Sequence, residues 1–302
     1  MEIGRLLTAM VTPFAADGRV DYKQAQRLAQ SLVESGSDGV VVFGTTGEAP
    51  TLTHEEKIHL LQEVKQALEV GGRGVVVAGA STYSTAESVE LAGEAERAGA
   101  DGLLLTVPYY NKPPQEGLFR HFQAIAASVS LPCILYNVPG RTSLNMTAET
   151  TLRLADIPNI IGVKEASGDI IQMGRILAGA PTGFRVWSGD DQFTLPLLSM
   201  GGYGVVCVVS HLAGLQVKAL IEAAVSGRTE EAASIHQRLL PLMNVLMTAA
   251  SNPIPVKFAL NHVGFAVGKP RLPLVEPDEN AAQRILDELS RQRIDLPLAV
   301  ET

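Results

Sequence analysis

Short apolar runs and longer helical patterns alternate eight times over the first three-quarters of the chain. That alternation leaves few folds open. The strand candidates lie at 6–11, 39–43, 74–78, 102–107, 133–136, 160–164, 184–187 and 204–209. Between and after them, helical patterns lie at 22–34, 54–68, 86–98, 117–128, 148–155, 170–178, 192–200 and 212–225. Two of these open on capping signals, Thr53 before His54-Glu55-Glu56 and Thr85 ahead of Glu87. Strand then helix, repeated, means parallel strands joined by crossover helices. Eight units predict an α/β fold, a (β/α)8 TIM barrel over residues 1–227, with catalytic groups at the C-terminal ends of the strands. A doubly wound open sheet is the alternative, but no glycine-rich dinucleotide fingerprint follows the first strand.

A faint repeat supports the barrel. Gly36-Ser37-Asp38-Gly39-Val40-Val41-Val42 is echoed by Gly99-Ala100-Asp101-Gly102-Leu103-Leu104-Leu105 and by Gly201-Gly202-Tyr203-Gly204-Val205-Val206-Cys207. The gaps between copies fit two and three βα units of roughly thirty residues each. Each copy has glycine where a helix ends and a buried strand begins. After Gly227 the strands stop, and patterns at 229–250, 256–263 and 278–293 predict a three-helix extension over 228–302. No flexible linker precedes it, so it is expected to pack on the barrel.

Charged residues make up 19% of the chain and hydrophobic residues 46%, which allows a large core and a buried subunit interface. The net charge of −8 and the lack of a basic stripe argue against nucleic acid. No apolar run approaches a membrane span, and Met1 to Met10 show no signal-peptide pattern. Cys133 and Cys207 lie in strand-like runs, as core thiols of a cytoplasmic protein would.

The unusual residue is Lys164, in Ile160-Ile161-Gly162-Val163-Lys164-Glu165-Ala166-Ser167-Gly168. This reads as a buried strand ending at a turn. Burial disfavours an ammonium, and a neutral amine is a nucleophile suited to Schiff-base chemistry with a carbonyl substrate. The plainer reading is a strand-end lysine that reaches solvent or pairs with Glu165. Other strand ends weigh against it. Gly44-Thr45-Thr46-Gly47-Glu48 follows the second strand and makes a tight turn whose N–H groups and hydroxyls fit a small carboxylate. It lacks the Gly-Lys-Ser/Thr ending of a nucleotide loop. Pro108-Tyr109-Tyr110-Asn111 follows the fourth strand, and Tyr136 and Arg141 flank the end of the fifth. Asp190-Asp191, after the seventh, reads as a helix N-cap rather than a metal site. His54 and His59 are five apart and point to different helix faces, so no metal or cofactor is expected.

Taken together, Gly44–Glu48, Tyr136 to Thr142 with its arginine, Gly162 to Ser167 and Asn252-Pro253-Ile254-Pro255-Val256-Lys257 resemble the dihydrodipicolinate synthase family. That family lies within the N-acetylneuraminate lyase superfamily of class I aldolase barrels. The resemblance runs from Val11-Thr12-Pro13-Phe14 through Arg271-Leu272-Pro273-Leu274. It implies an imine between Lys164 and pyruvate, whose carboxylate sits on the Thr45-Thr46 turn with Thr46 in direct contact. Tyr136 carries protons, and Thr45 and Tyr110 complete a hydroxyl relay. Tyr110 enters a neighbouring subunit's site, so the active unit is a homo-oligomer, a tetramer built from tight dimers. Arg141 holds the carboxylate of aspartate semialdehyde, and the backbones at Gly189 and Val206 line the pocket. The implied reaction belongs to diaminopimelate and lysine biosynthesis.

Two other functions stay open at this point. A sugar-acid aldolase or lyase keeps Lys164 and pyruvate but has less use for Arg141. A keto-acid sensor has no use for the relay. The resemblance also implies an effector site for lysine, here degenerate: His54, Glu87 and Tyr109 match, while Ala49, Lys57 and Tyr83 replace a serine, a histidine and an asparagine. Weak or absent inhibition by lysine is expected.

Overall fold

Each of the eight apolar runs forms a strand in the computed structural model, which describes residues 2–297. The strands are β1 (Leu6–Ala9), β2 (Gly39–Val42), β3 (Val75–Gly79), β4 (Gly102–Thr106), β5 (Cys133–Asn137), β6 (Ile160–Glu165), β7 (Arg185–Ser188) and β8 (Gly204–Cys207). All pair in parallel, in sequence order, and β8 closes on β1. The crossovers are α1 (Tyr22–Glu34), α2 (His54–Val70), α3 (Thr85–Arg97), α4 (Gln115–Ala127), α6 (Ala148–Ala155) after a one-turn α5 (Pro139–Thr142), α7 (Ile170–Gly179), α8 (Thr194–Ser199) and α9 (Ser210–Val225). The chain is therefore a (β/α)8 barrel.

The strands read as continuous apolar runs because both faces are buried. Leu7, Val41, Val77, Leu104, Ile134 and Trp187 fill the barrel interior. Leu6, Val40, Val76, Leu103 and Leu135 pack outward against the helices. The glycine repeat has a geometric cause. Gly36, Gly99 and Gly201 end the preceding segment with φ of 108°, 90° and 95°, in the left-handed region. Three residues on, a Cβ at Gly39 would lie 2.3 Å from the Val75 carbonyl oxygen, and one at Gly204 would lie 1.9 Å from that of Arg5. Glycine is needed once to turn and once to let neighbouring backbone close in.

Two sequence expectations move. The N-cap of α3 is Ser84, whose hydroxyl accepts from the Glu87 N–H; Thr85 is already helical. The pattern at 192–200 divides into a 3-10 turn, Asp191–Phe193, and α8. Pro196 has no N–H to bond the Gln192 carbonyl, which weakens a continuous helix at this division. Thr53 caps α2 as expected, in a reciprocal capping box with Glu56.

Three helices follow the barrel: α10 (Thr229–Thr248), α11 (Ile254–His262) and α12 (Glu279–Leu289). α10 packs along α9 and α12, and Leu239, Leu242, Met243, Leu246 and Val256 join the core that surrounds the barrel. The predicted extension ends at 302; its residues 298–302 lie outside the described residues. Among the described residues, no helix is long and apolar enough to cross a membrane.

Candidate active site

Thr45, Tyr136, Arg141 and Lys164 gather at the C-terminal mouth of the barrel. Tyr136 on β5 and Lys164 on β6 are register partners, and both side chains face inward. Lys164 is 5% exposed, and its Nζ lies 4.2 Å from the centroid of the Tyr136 ring. It does not pair with Glu165. Successive strand residues face opposite sides, and the fully buried Glu165 carboxylate is bonded by Asn137, Gln172 and the Ser167 N–H behind the barrel wall. Among the described residues, no carboxylate lies within ion-pair distance of Lys164. The amine is thus held by packing against an electron-rich ring face.

The next two strands shape the space beside it. A Cβ at Gly189 would lie 3.0 Å from Cγ and 3.1 Å from Cε of Lys164, so glycine there makes room for the lysine stem. Val206 on β8 is buried in the same interior cluster. The aspartates beyond β7 divide their work. Asp190 accepts from the Gln192 N–H, as the expected cap, but Asp191 points back into the fold and accepts from the N–H groups of Val208 and Val209. Burial raises the Asp191 carboxyl from 3.8 to about 6, and those two amides oppose the rise. Beside it His211, also buried, is lowered to about 4 and neutral, with Nδ1 against the Val208 carbonyl and Nε2 accepting from the Val11 N–H.

The Gly44–Glu48 turn is held from the helical extension. The Thr46 hydroxyl accepts 2.9 Å from Nδ2 of Asn252, and the Asn252 carbonyl accepts 3.1 Å from Nη2 of Arg141. One residue between α10 and α11 therefore joins the turn after β2 to the arginine after β5. Glu48, in the left-handed region at φ 55°, pairs at 2.8 Å with Lys257, and both side chains are buried. Lys257 also donates to the carbonyls of Thr12 and Lys269, and burial lowers its pKa against the opposing pull of Glu48. The Arg271 N–H bonds Glu48, while its guanidinium grips Glu56 of the α2 capping box. In the sequence Asn252, Lys257 and Arg271 stand as motif residues with no role assigned to them. The available signal was a lysine inside the apolar run Ile254–Leu260.

A cavity of about 460 Å³ opens on this mouth and is lined by Thr45, Val138 and Arg141, together with Lys57, Tyr83 and Tyr109. Ala49 also lines it, whereas His54 is turned away and contacts Glu94. Lys57 is lowered by burial and raised by the Glu87 charge, so it lies in the cavity wall rather than in solvent. Tyr83 and Tyr109 meet edge to face at 5.3 Å, and burial pushes the Tyr109 phenol up. Tyr110 is not brought in. It is 89% exposed, at φ 74°, and among the described residues it makes no hydrogen bond to Thr45. Thr45 and Tyr136 likewise share no hydrogen bond within the chain. Leu91 and Thr106 complete the floor of the cavity.

Fold and mouth together define a (β/α)8-barrel lyase with a buried lysine at the end of its sixth strand. The profile of the Dihydrodipicolinate synthetase family matches residues 2–292, and the chain belongs to that family. It is 55% identical to a 4-hydroxy-tetrahydrodipicolinate synthase of Dehalococcoides mccartyi strain CBDB1, over 98% of this chain and 99% of that one. It is 56% identical to the enzyme of the same name from Moorella thermoacetica, over 94% and 97%. Among solved structures, the enzyme of Cyanidioschyzon merolae with lysine bound superposes with a TM-score of 0.93 at 47% identity, covering 96% of this chain and 98% of that one.

Proposed function

We propose that the chain condenses pyruvate with L-aspartate 4-semialdehyde to give 4-hydroxy-tetrahydrodipicolinate, the committing step toward diaminopimelate and lysine. The observation that carries this reading is Lys164, buried beside Tyr136 with no ion-pair partner among the described residues. The Lys164 amine adds to the pyruvate ketone and expels water, leaving an imine. Pyruvate's carboxylate rests on the Thr45-Thr46 turn. Tyr136 supplies the proton that leaves with the hydroxyl and receives one as the pyruvate methyl becomes an enamine carbon. That carbon attacks the aldehyde, the acceptor's own amine displaces Lys164, and the ring closes. Arg141 holds the acceptor's carboxylate with a fork of N–H donors. Gly189 and Val206 bound the pocket.

Tyr110 fits a role outside its own subunit, because an exposed tyrosine in a left-handed conformation is presented rather than packed. In this reading it completes the relay with Thr45 and Tyr136 across a dimer, and two dimers form the tetramer. Residues 1–227 act as the catalytic barrel, and the extension over 228–302 holds its mouth through Asn252, Lys257 and Arg271. Two buried free cysteines suit the cytoplasm. An assay of pyruvate with a panel of aldehydes tests the function. Turnover with aspartate semialdehyde and not with sugar aldehydes is expected, and the reverse preference would assign the chain to the sugar-acid aldolases.

A further inference from the structure

Behind the barrel wall, on the face of β5 and β6 that points away from the barrel axis, lies a second pairing that the chemistry does not use. Asn137 and Glu165 are register partners one residue beyond Tyr136 and Lys164, and both are fully buried. The Asn137 Nδ2 donates to both Glu165 oxygens, at 3.2 and 3.0 Å. Gln172 of α7 donates from Nε2 to Oε2 at 3.1 Å, and the Ser167 N–H donates to Oε1 at 2.7 Å. Asn137 is fixed in turn, with Oδ1 accepting from the Met146 N–H and Nδ2 donating to Asn145. No cation pairs with Glu165 among the described residues. A buried carboxylate held only by neutral donors is costly, so its presence needs a reason that an apolar or amide residue would not satisfy.

We infer that Glu165, clamped by Asn137 and Gln172, is a positioning residue that keeps Lys164 and Tyr136 in reacting register. The inference rests on the functional reading above. Consecutive strand residues share one backbone, so fixing 137 against 165 fixes 136 against 164. The register slips by one residue between Cys133 and Ile134 and then runs unbroken from Ile134 with Gly162 to Asn137 with Glu165, so this side-chain clamp closes the mouth end of a four-pair ladder. Only a carboxylate suits position 165, because every group that faces it is a donor and both of its oxygens must accept. Glutamine would set an amide N–H against the N–H groups of Asn137 or Gln172.

The test is the rate of imine formation at saturating pyruvate, read by quenched borohydride trapping and mass spectrometry, per mole of folded enzyme. Glu165→Gln is expected to slow it about tenfold to a hundredfold, as a small misplacement of reacting groups does, with little change in the pyruvate concentration that half-saturates it. The double variant Glu165→Gln with Asn137→Asp gives the new amide one acceptor while Gln172 Nε2 and Asn145 Oδ1 still face like groups, so part of the rate should return. Should Glu165→Gln not fold, Gln172→Met removes one donor from outside the barrel and should slow the step in the same sense, by about twofold to tenfold. Variants that melt earlier but form the imine at the wild-type rate would overturn the inference and leave Glu165 merely structural. Absence of any adduct at Lys164 in the wild type would instead overturn the functional reading beneath it.

Discussion

Lys164 and Glu165 are neighbours in sequence with opposite surroundings, and the difference is the two-residue period of a strand. The lysine faces the barrel axis beside Tyr136, while the glutamate faces the helices and is saturated with donors. A trapped adduct tests the first assignment. Borohydride with pyruvate should add the mass of a reduced adduct at Lys164, Lys164→Ala should abolish it, and an adduct at any other lysine would refute the assignment. Among the described residues, the Arg141 guanidinium bonds only the Asn252 carbonyl, which leaves the rest of it free for a carboxylate. Arg141 is exposed at the mouth, so loss of its hydrogen bonds to a carboxylate costs about 1.5–3 kcal/mol, less than for a fully buried pair. Arg141→Ala is therefore expected to raise the KM for aspartate semialdehyde strongly while imine formation with pyruvate survives. Equal loss of both steps would make the arginine a framework residue.

Among the elements, the Gly44–Glu48 turn depends most on distant chain. Its Glu48 is fastened to Lys257 of α11 and to the Arg271 backbone, and its Thr46 to Asn252. Removing one member of a buried pair strands the other charge, at about 3–5 kcal/mol. Lys257→Met should thus lower the melting temperature steeply, and adding Glu48→Leu should recover part of the loss; a double variant worse than the single would exclude the pairing as the cause. Asp191, beyond β7, carries a different signature where it meets the turn between β8 and α9. Asp191 titrates near 6 in the folded protein against 3.8 in the open chain, because burial favours its neutral form. A folded pKa above the unfolded one means stability that is complete below pH 3.8 and is lost as pH rises through about 6. Relative to Asp191→Asn, the wild type should gain stability as pH falls from 7 to 5. A difference in melting temperature that stays flat over that window would show that Asp191 is already ionised there.

For the whole molecule, the cavity that joins the barrel mouth to Lys57, Tyr83 and Tyr109 bears on regulation and assembly together. The relative from Cyanidioschyzon merolae was solved with lysine bound. Were an effector's ammonium to seek Glu87 here, it would meet the Lys57 side chain, whose charge is already drawn to that carboxylate. Two like charges 4 Å apart at an effective dielectric near 20 repel by about 4 kcal/mol, enough to remove useful affinity. Titrating L-lysine into a steady-state assay should show no half-inhibition below the millimolar range, and Lys57→His should increase sensitivity. In the proposed assembly Tyr110, exposed next to the cavity-lining Tyr109, would meet a second copy. Sedimentation should give at least a dimer, and activity should fall on dilution if the relay crosses subunits; a fully active monomer would contradict that arrangement.

The eight strands, their order and the lysine at the sixth were legible along the chain, because apolar period and glycine punctuation are local properties. Gly36, Gly99 and Gly201 marked strand entries for reasons of backbone conformation that any one segment carries by itself. The mouth was legible only in part. Thr45, Arg141 and Lys164 announce themselves as polar residues at strand ends, but their supports lie far off in sequence: Asn252 beneath Thr46, Lys257 against Glu48, Arg271 on Glu56. Pairings of that kind leave no periodic trace. They exist because closing the barrel and laying α10–α12 across it bring unrelated segments into a space without water, where each buried charge or amide must find whatever partner the fold delivers.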